Sequence, residues 1–300
     1  MRALQFTRYG GPDVIEWGEA EDPHARPGQI RVAVRAASVN PIDWKRFSGA
    51  MAGGKPMSGT GYLGYDAAGV VDEVGENVTG VSAGDDVWGL GQNTHAEYAV
   101  LSSWAAKPPS VDWAVAAAAA VTGETSERVL RLLDVASGDT VFIDGGAGGV
   151  GSVAVQMAVA RGATVIASAG ESNQDYLREV GAVPVLYGKG VVDRVRAAAR
   201  GAVSAVLDVV GKTPVEDLIS LAPQPSKVVT IANFAAGDTG VRVTSGAADM
   251  QPMAALAQVG ELLADNRLVL KVQTFPFDRA DEAFRISQSG HLRGKLVLVP

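Results

Sequence analysis

Cysteine is absent from this 300-residue chain. That excludes disulfides, a thiol nucleophile and every zinc site that needs thiolate. Histidine is scarce: His24, His95 and His291 are the only three, far apart in sequence, which argues against a His-rich metal centre. Basic runs are missing too. With 26 Lys+Arg against 33 Asp+Glu, the formal charge is −7, and no stretch offers a surface that would track phosphates, so nucleic acid is a poor partner. Long apolar runs are also lacking. The longest, Trp113 to Val121, is too short to span a bilayer. Met1-Arg2-Ala3-Leu4-Gln5 turns polar at once and carries no signal-peptide core. These absences lead to the expectation of a soluble, cytoplasmic protein with no membrane partner. What is present is a globular composition, 47% hydrophobic and 20% charged, with 36 Gly.

At this length two domains or one large α/β unit is expected. The first hundred residues hold close-set strand candidates broken by Gly and Pro: Ile30 to Ala36, Ala67 to Val74, Val87-Trp88 and Ala96 to Leu101. That texture predicts a small, barrel-like β-rich domain. From about Ala114 apolar strands alternate with helical stretches, the pattern of βαβ units on a parallel sheet. The strand candidates there are Thr140–Ile143, Ala163–Ala167, Val183–Leu186, Val203–Val209 and Lys227–Ile231. Thr213-Pro214-Val215-Glu216 combines a capping box with Pro at a first helical position, and Ser172-Asn173-Gln174-Asp175 carries similar start logic. The tail reads strand–helix–strand: Leu268–Thr274, a helix opened by Phe277-Asp278, then Lys295–Val299. The expected division is 1–115, 116–265 and 266–300, the last segment returning to the first domain.

One motif carries chemistry. In Val141-Phe142-Ile143-Asp144-Gly145-Gly146-Ala147-Gly148-Gly149-Val150-Gly151, residues Gly146, Gly148 and Gly151 satisfy GxGxxG. The pattern alone is weak in a glycine-rich chain. Its context strengthens it: an apolar strand precedes and an apolar helix, Val150 to Ala160, follows. Gly146 is expected to permit the turn, Gly148 to let backbone approach a pyrophosphate, and Gly151 to let helix pack on strand. Gly149 and Val150 then sit at a helix N-terminus facing phosphates. About twenty residues on, Ala167-Ser168-Ala169-Gly170 ends the second strand without an acid for the ribose hydroxyls. Ser168 could donate to a 2′-phosphate, although Glu171 follows closely, so NADPH is favoured over NADH.

Taken together, several segments resemble the zinc-free medium-chain dehydrogenase/reductases, the quinone oxidoreductase-like group. They are Ala36-Ala37-Ser38-Val39-Asn40-Pro41-Ile42-Asp43, Gly64-Tyr65-Asp66-Ala67-Ala68-Gly69-Val70-Val71, Gly84-Asp85-Asp86-Val87-Trp88-Gly89, Ala96-Glu97-Tyr98, Gly148-Gly149-Val150-Gly151 and Gly294-Lys295-Leu296-Val297-Leu298. The resemblance implies an α/β protein: a GroES-like β-rich substrate domain, built from both ends of the chain, plus a Rossmann doubly wound parallel-sheet domain. It also implies a homodimer. Zinc-dependent relatives place Cys, His and Glu at positions that look like Asn40, Tyr65 and Asp66 here. Without that Lewis acid a simple ketone loses its charge stabilisation. A quinone or enone needs it less, because hydride addition leaves a delocalised anion that hydrogen-bond donors can hold.

The resemblance implies the remaining site residues. Asn40 stands where the family has an Asn beside the nicotinamide, though a turn or cap Asn before Pro41 is the plainer reading. Lys45 replaces a Tyr found in some relatives; it is either a proton donor or a solvated surface Lys. Tyr65 is either a pocket donor or a core aromatic. Thr122 resembles a residue near the nicotinamide, and a capping role can coexist. Val210, Ala232 and Asn233 follow later strands at the sheet edge where open α/β folds bind ligands. Tyr187 stands near the expected adenosine ribose. His95 and His291 are expected to be surface or structural. The activity expected is NADPH-dependent reduction of quinones or α,β-unsaturated carbonyls. The alternatives are a pathway-specific enoyl reductase and a non-catalytic NADPH-binding protein.

Overall fold

The computed structural model describes residues 1–246, 248–290 and 292–300. Ala247 and His291 lie outside the described residues, so the expectation for His291 has no structural counterpart. Contacts group into two units. One is Met1–Val121 with Pro252–Ala264 and Leu270–Pro300; the other is Thr122–Gln251 with Asp265–Val269.

In chain order the elements begin with β1 (Arg2–Phe6), β2 (Glu16–Glu19), β3 (Ile30–Ser38), α1 (Pro41–Phe47), β4 (Gly61–Tyr62), β5 (Asp66–Val74), β6 (Asp86–Gln92) and β7 (Tyr98–Ala106). They continue with α2 (Trp113–Leu132), β8 (Thr140–Asp144), α3 (Gly149–Ala160), β9 (Thr164–Ala169), α4 (Gln174–Glu179), β10 (Val183–Leu186), α5 (Val191–Ala198), β11 (Ala205–Asp208), α6 (Val215–Leu221), β12 (Val228–Thr230) and β13 (Arg242–Val243). The tail holds α7 (Pro252–Ala264), β14 (Val272–Pro276), α8 (Ala280–Ser289) and β15 (Lys295–Val299).

The first unit is β-rich. Its larger sheet runs β14-β15-β3-β5-β6-β7, and β3 also pairs with β7, which closes the curl. Alternating apolar residues of β3 (Ile30, Val32, Val34) point into one core with Leu101, Phe284, Leu296 and Leu298. The last strand, β15, pairs antiparallel with β3 (Val297 opposite Ser38), so the tail is an integral strand of this unit. The expected boundary differs at α7. That helix packs on β7 and carries Gly260, where an added Cβ would lie 3.6 Å from the Trp88 ring. Its side chains therefore join the first unit, and the second unit gives up Pro252–Ala264.

The second unit carries a six-stranded parallel sheet in the order β10-β9-β8-β11-β12-β13. Read from β10, this is the 3-2-1-4-5-6 order of a doubly wound dinucleotide fold. The inner strands β9, β8, β11 and β12 are largely buried and read as apolar runs, as parallel strands do, while the edge strands β10 and β13 are partly exposed. Two helix starts differ from expectation. At α6 Pro214 is the cap residue rather than the first helical residue, and no side-chain hydrogen bond caps the helix. At α4 a short 3-10 turn (Glu171–Asn173) precedes the helix, with Asn173 in the capping position.

Candidate functional site

The loop between β8 and α3 shows what each glycine is for. Gly145 turns the chain at φ +95°, a region closed to most side chains. Turning thus falls to Gly145, and Gly146 has a different task. A Cβ there would lie 2.6 Å from the Ala167 Cβ and 3.0 Å from Leu177, so Gly146 is a packing glycine. Gly151 lets α3 press on the loop: a Cβ would sit 2.1 Å from the Gly145 carbonyl oxygen. Gly148 is unlike these. A Cβ there would meet nothing nearer than 3.8 Å, so the fold itself has no steric need of a glycine. It is the residue before α3, with extended backbone (φ −75°, ψ 177°), and the first N–H groups of α3, Gly149, Val150 and Gly151, have no intrahelical acceptor. Open space over orphan donors at a positive helix end fits a pyrophosphate.

Behind this loop runs a polar row. Thr230, Asp208, Asp144 and Ser168 are register partners on β12, β11, β8 and β9, and each is at most 2% exposed. Three of the four hold loop backbone directly, and Asp144 accepts the Ser168 hydroxyl. The Asp208 carboxylate accepts the N–H groups of Val210 (2.9 Å) and Gly211 (2.7 Å) and the Thr230 hydroxyl (2.8 Å). The Thr230 hydroxyl oxygen in turn accepts the N–H groups of Ala232 (3.2 Å) and Asn233 (3.0 Å). Ser168 accepts the Gly145 N–H (2.9 Å) and donates to Asp144. Its hydroxyl is fully buried and aimed at the loop, not at solvent beyond the strand. Burial pushes the Asp144 carboxyl up from its ordinary value, and the nearby Asp208 charge adds to the rise. The Ser168 and Thr213 hydrogen bonds oppose it.

Val210 (40% exposed) and the half-buried Ala232 and Asn233 therefore stand on loops anchored at one edge of the sheet, together with the glycine loop. Tyr187, 58% exposed, follows β10; its ring flanks Gly170 at the end of β9. Thr122 lies buried in α2, near the ion pair of Arg128 with Glu124 (3.0 Å) on the same helix.

In the first unit four segments converge on a second buried cluster. Asn40 caps α1, and its backbone N–H donates to Asp43 (2.8 Å), whose other oxygen accepts the Gly64 N–H (2.9 Å). The Asn40 side chain turns away from the cap. Lys295 of β15 donates to its Oδ1 (2.6 Å) and to the Val39 carbonyl (2.9 Å). Asn40 Nδ2 lies 3.3 Å from Asp66 Oδ1. Asp66 also accepts the Ser38 hydroxyl (2.8 Å), the Ser38 N–H (3.2 Å) and the Val121 N–H (3.2 Å). Burial pushes the Asp66 carboxyl up and the Lys295 ammonium down, while each one's field opposes the other's shift. His95, fully buried, places Nε2 3.0 Å from the Ser38 carbonyl, which makes it a structural residue of this cluster.

Only Asn40 of the three expected catalytic residues belongs to that cluster. Tyr65, half-buried, lies next to Asp66 and binds Gly91 N–H through its carbonyl (3.0 Å). Lys45 is on the flank of α1, with its ammonium 5.8 Å from the centroid of the Trp44 ring. Sequence reading passed over Lys295 and Asp66 as site residues. Both stood in quoted motifs, but nothing local announces that residues 255 positions apart will touch.

The cluster does not fit a metal ion. Asn40 Oδ1 is occupied by an ammonium at 2.6 Å, and both Asp66 oxygens are already hydrogen-bonded. A cation placed there would face Lys295 directly. Among the described residues no group of three or more His, Cys, Asp or Glu could hold a metal.

A 3-2-1-4-5-6 parallel sheet with a glycine loop on its first strand, in one chain with a curled β-rich unit completed by the tail, defines a medium-chain dehydrogenase/reductase. Comparison with known proteins agrees. A family model described as alcohol dehydrogenase GroES-like domain matches residues 26–130, and one described as zinc-binding dehydrogenase matches residues 180–298. The NADPH-dependent alkenal/one oxidoreductase, chloroplastic, of Arabidopsis thaliana is 28% identical, across 100% of this chain and 80% of its own length. A quinone oxidoreductase of Pseudomonas aeruginosa is 29% identical, across 97% of this chain and 90% of its own. The structure of the quinone oxidoreductase from Coxiella burnetii has 30% identity and a TM-score of 0.86, covering 100% and 99% of the two chains. The chain belongs to the quinone oxidoreductase-like group of the medium-chain dehydrogenase/reductases, a family of oxidoreductases. Among the described residues no helix is long and apolar enough to cross a membrane.

Proposed function

We propose that this protein is a metal-independent, NADPH-dependent reductase of quinones or α,β-unsaturated carbonyls. The observation that carries the reading is Gly148. It is a glycine the fold does not require, opening on free space at the N-terminus of α3. Gly149, Val150 and Gly151 would bind the pyrophosphate through their N–H groups. Val210, Ala232, Asn233 and Thr122 would line the nicotinamide half, and Tyr187 the adenosine half. Ser168, whose hydroxyl is committed to Asp144 and Gly145, would act by holding the loop rather than by touching a 2′-phosphate. Preference for NADPH rests on the lack of an acid at the end of β9 and on the relatives' cofactor. When bound, the cofactor supplies the hydride.

Reduction also calls for a group that stabilises what hydride addition leaves. An enolate or phenolate oxygen needs a hydrogen-bond donor, and the Asn40 amide is one. Tyr65 and Lys45 are the candidates for the proton that follows. A conjugated substrate suits a donor set with no Lewis acid, whereas a simple ketone does not. The test is NADPH oxidation, followed by absorbance, over a panel of quinones and enones. Turnover with conjugated acceptors and not with simple ketones is expected. Tight NADPH binding without turnover of any acceptor would overturn the reading.

A further inference from the structure

We propose that Lys295 is a positioning residue for the reduction: it fixes which way the Asn40 amide faces and polarises its N–H groups toward the substrate oxygen. This rests on the reductase reading above and adds a residue to it.

A carboxamide has nearly the same shape either way round, and its orientation decides whether it offers a donor or an acceptor. For an oxyanion the difference is one of sign, because the wrong end repels the charge that develops. Lys295 removes the choice. An ammonium can only donate, and its nitrogen lies 2.6 Å from one end of the amide, so that end is the oxygen. The second donation, to the Val39 carbonyl at 2.9 Å, fixes the ammonium itself. The other end of the amide must then carry the two N–H groups. Their neighbours are the Ser38 carbonyl at 3.2 Å, the Ser38 hydroxyl at 3.3 Å and Asp66 at 3.3 Å. All three are long for N–H donors, which prefer about 2.9–3.0 Å. The donor end is aligned but loosely held, and so can be recruited by a stronger acceptor.

The charges favour the same direction. Burial works against the Lys295 ammonium, the fields of Asp66 on β5 and Asp43 on α1 oppose that, and its contact with Oδ1 draws electron density away from the N–H groups. Asn40 and Lys295 are 3% and 4% exposed, so water does not screen the pair. Lys295 does not itself touch substrate in this scheme; it acts through Asn40.

A kinetic cycle tests this, with wild type, Lys295→Met, Asn40→Ala and the double variant, using NADPH and 1,4-benzoquinone. Lys295→Met should lower kcat tenfold or more, with the quinone KM and the NADPH dissociation constant within twofold of wild type. Asn40→Ala should lose at least as much. The decisive result is the double variant, which should be no slower than Asn40→Ala, because Lys295 has nothing to act through once the amide is gone. Multiplying losses would assign Lys295 a separate, structural role and overturn the proposal, as would a Lys295→Met enzyme with wild-type kcat. If Lys295→Met fails to fold, Lys295→Met combined with Asp66→Asn removes the cation together with one of the two carboxyls that bear on it, and takes its place in the cycle with Asp66→Asn as its reference. Wild type that binds NADPH but turns over no acceptor would instead overturn the reductase reading, and this inference with it.

Discussion

Ser168 shows how one hydroxyl can be read in two ways. From sequence it stood at the end of the second strand with no acid beside it, a position from which a donor could reach a 2′-phosphate. In the fold its side chain is fully buried and joins Asp144 to the Gly145 N–H. Strand alternation decides this, and the local residues do not reveal which face is which until the sheet is paired. Ser168→Ala should therefore cost about 1–3 kcal/mol of stability by stranding buried partners. It should leave the ratio of NADPH to NADH affinity unchanged. Thermal melting and side-by-side titrations check both; a loss of NADPH selectivity would restore the phosphate role. Lys295 is the converse case. A Lys in a strand reads as solvent-exposed, yet Lys295 is 4% exposed and donates to Asn40 and the Val39 carbonyl within a closed cluster. Removing it alone takes from the buried Asp66 carboxyl the field that opposes its burial, and should lower the melting temperature. Pairing Lys295→Met with Asp66→Asn should recover much of that in a melting experiment.

At the scale of elements, the strand ends of the parallel sheet share one device. Side chains in register on neighbouring strands hold the loops at the strand ends: Asp208 and Thr230 those after their own strands, Ser168 the glycine loop after β8, so these loops are fixed before any ligand arrives. Asp208 serves two of them. Asp208→Ala frees the Val210 and Gly211 N–H groups and the Thr230 hydroxyl together, and hydrogen exchange should rise at residues 209–211 and 232–233 with the core strands unaffected. Asp144 adds a pH dependence. Its folded-state value is raised, chiefly by burial, so between the ordinary carboxylate value and that raised value the folded protein holds a proton the unfolded chain has released. Stability from this group is complete at low pH and is lost as pH rises through the folded value. Asp144→Asn cannot ionise, so the melting temperature of wild type relative to this variant should fall from acid toward neutral pH. A difference that stays flat would remove Asp144 from the linkage. Much at this scale was legible beforehand, because βαβ spacing and apolar runs report local chain physics. Helix starts were less so. Thr213 carries the signature of a capping residue, yet Pro214 takes the cap position and no side chain caps the helix.

For the whole molecule, the change of texture near Ala114 and the return of the tail were visible from periodicity. What periodicity did not convey was that Pro252–Ala264 packs on β7, since an amphipathic helix carries no label for its partner. The glycine loop was legible as a motif, but not the division of labour inside it. That division singles out Gly148 as the residue kept for a ligand rather than for the fold, and it gives the most direct test. NADPH should raise the melting temperature of wild type, by the equivalent of about 2.7 kcal/mol at a hundred times its dissociation constant. Gly148→Ala should melt without ligand within about a degree of wild type, since its Cβ enters open space and exposed substitutions usually shift stability by no more than about 0.5 kcal/mol. Its NADPH affinity should nevertheless fall at least tenfold. Unchanged affinity in Gly148→Ala, or no NADPH stabilisation of wild type, would contradict the assignment of this loop as the cofactor site.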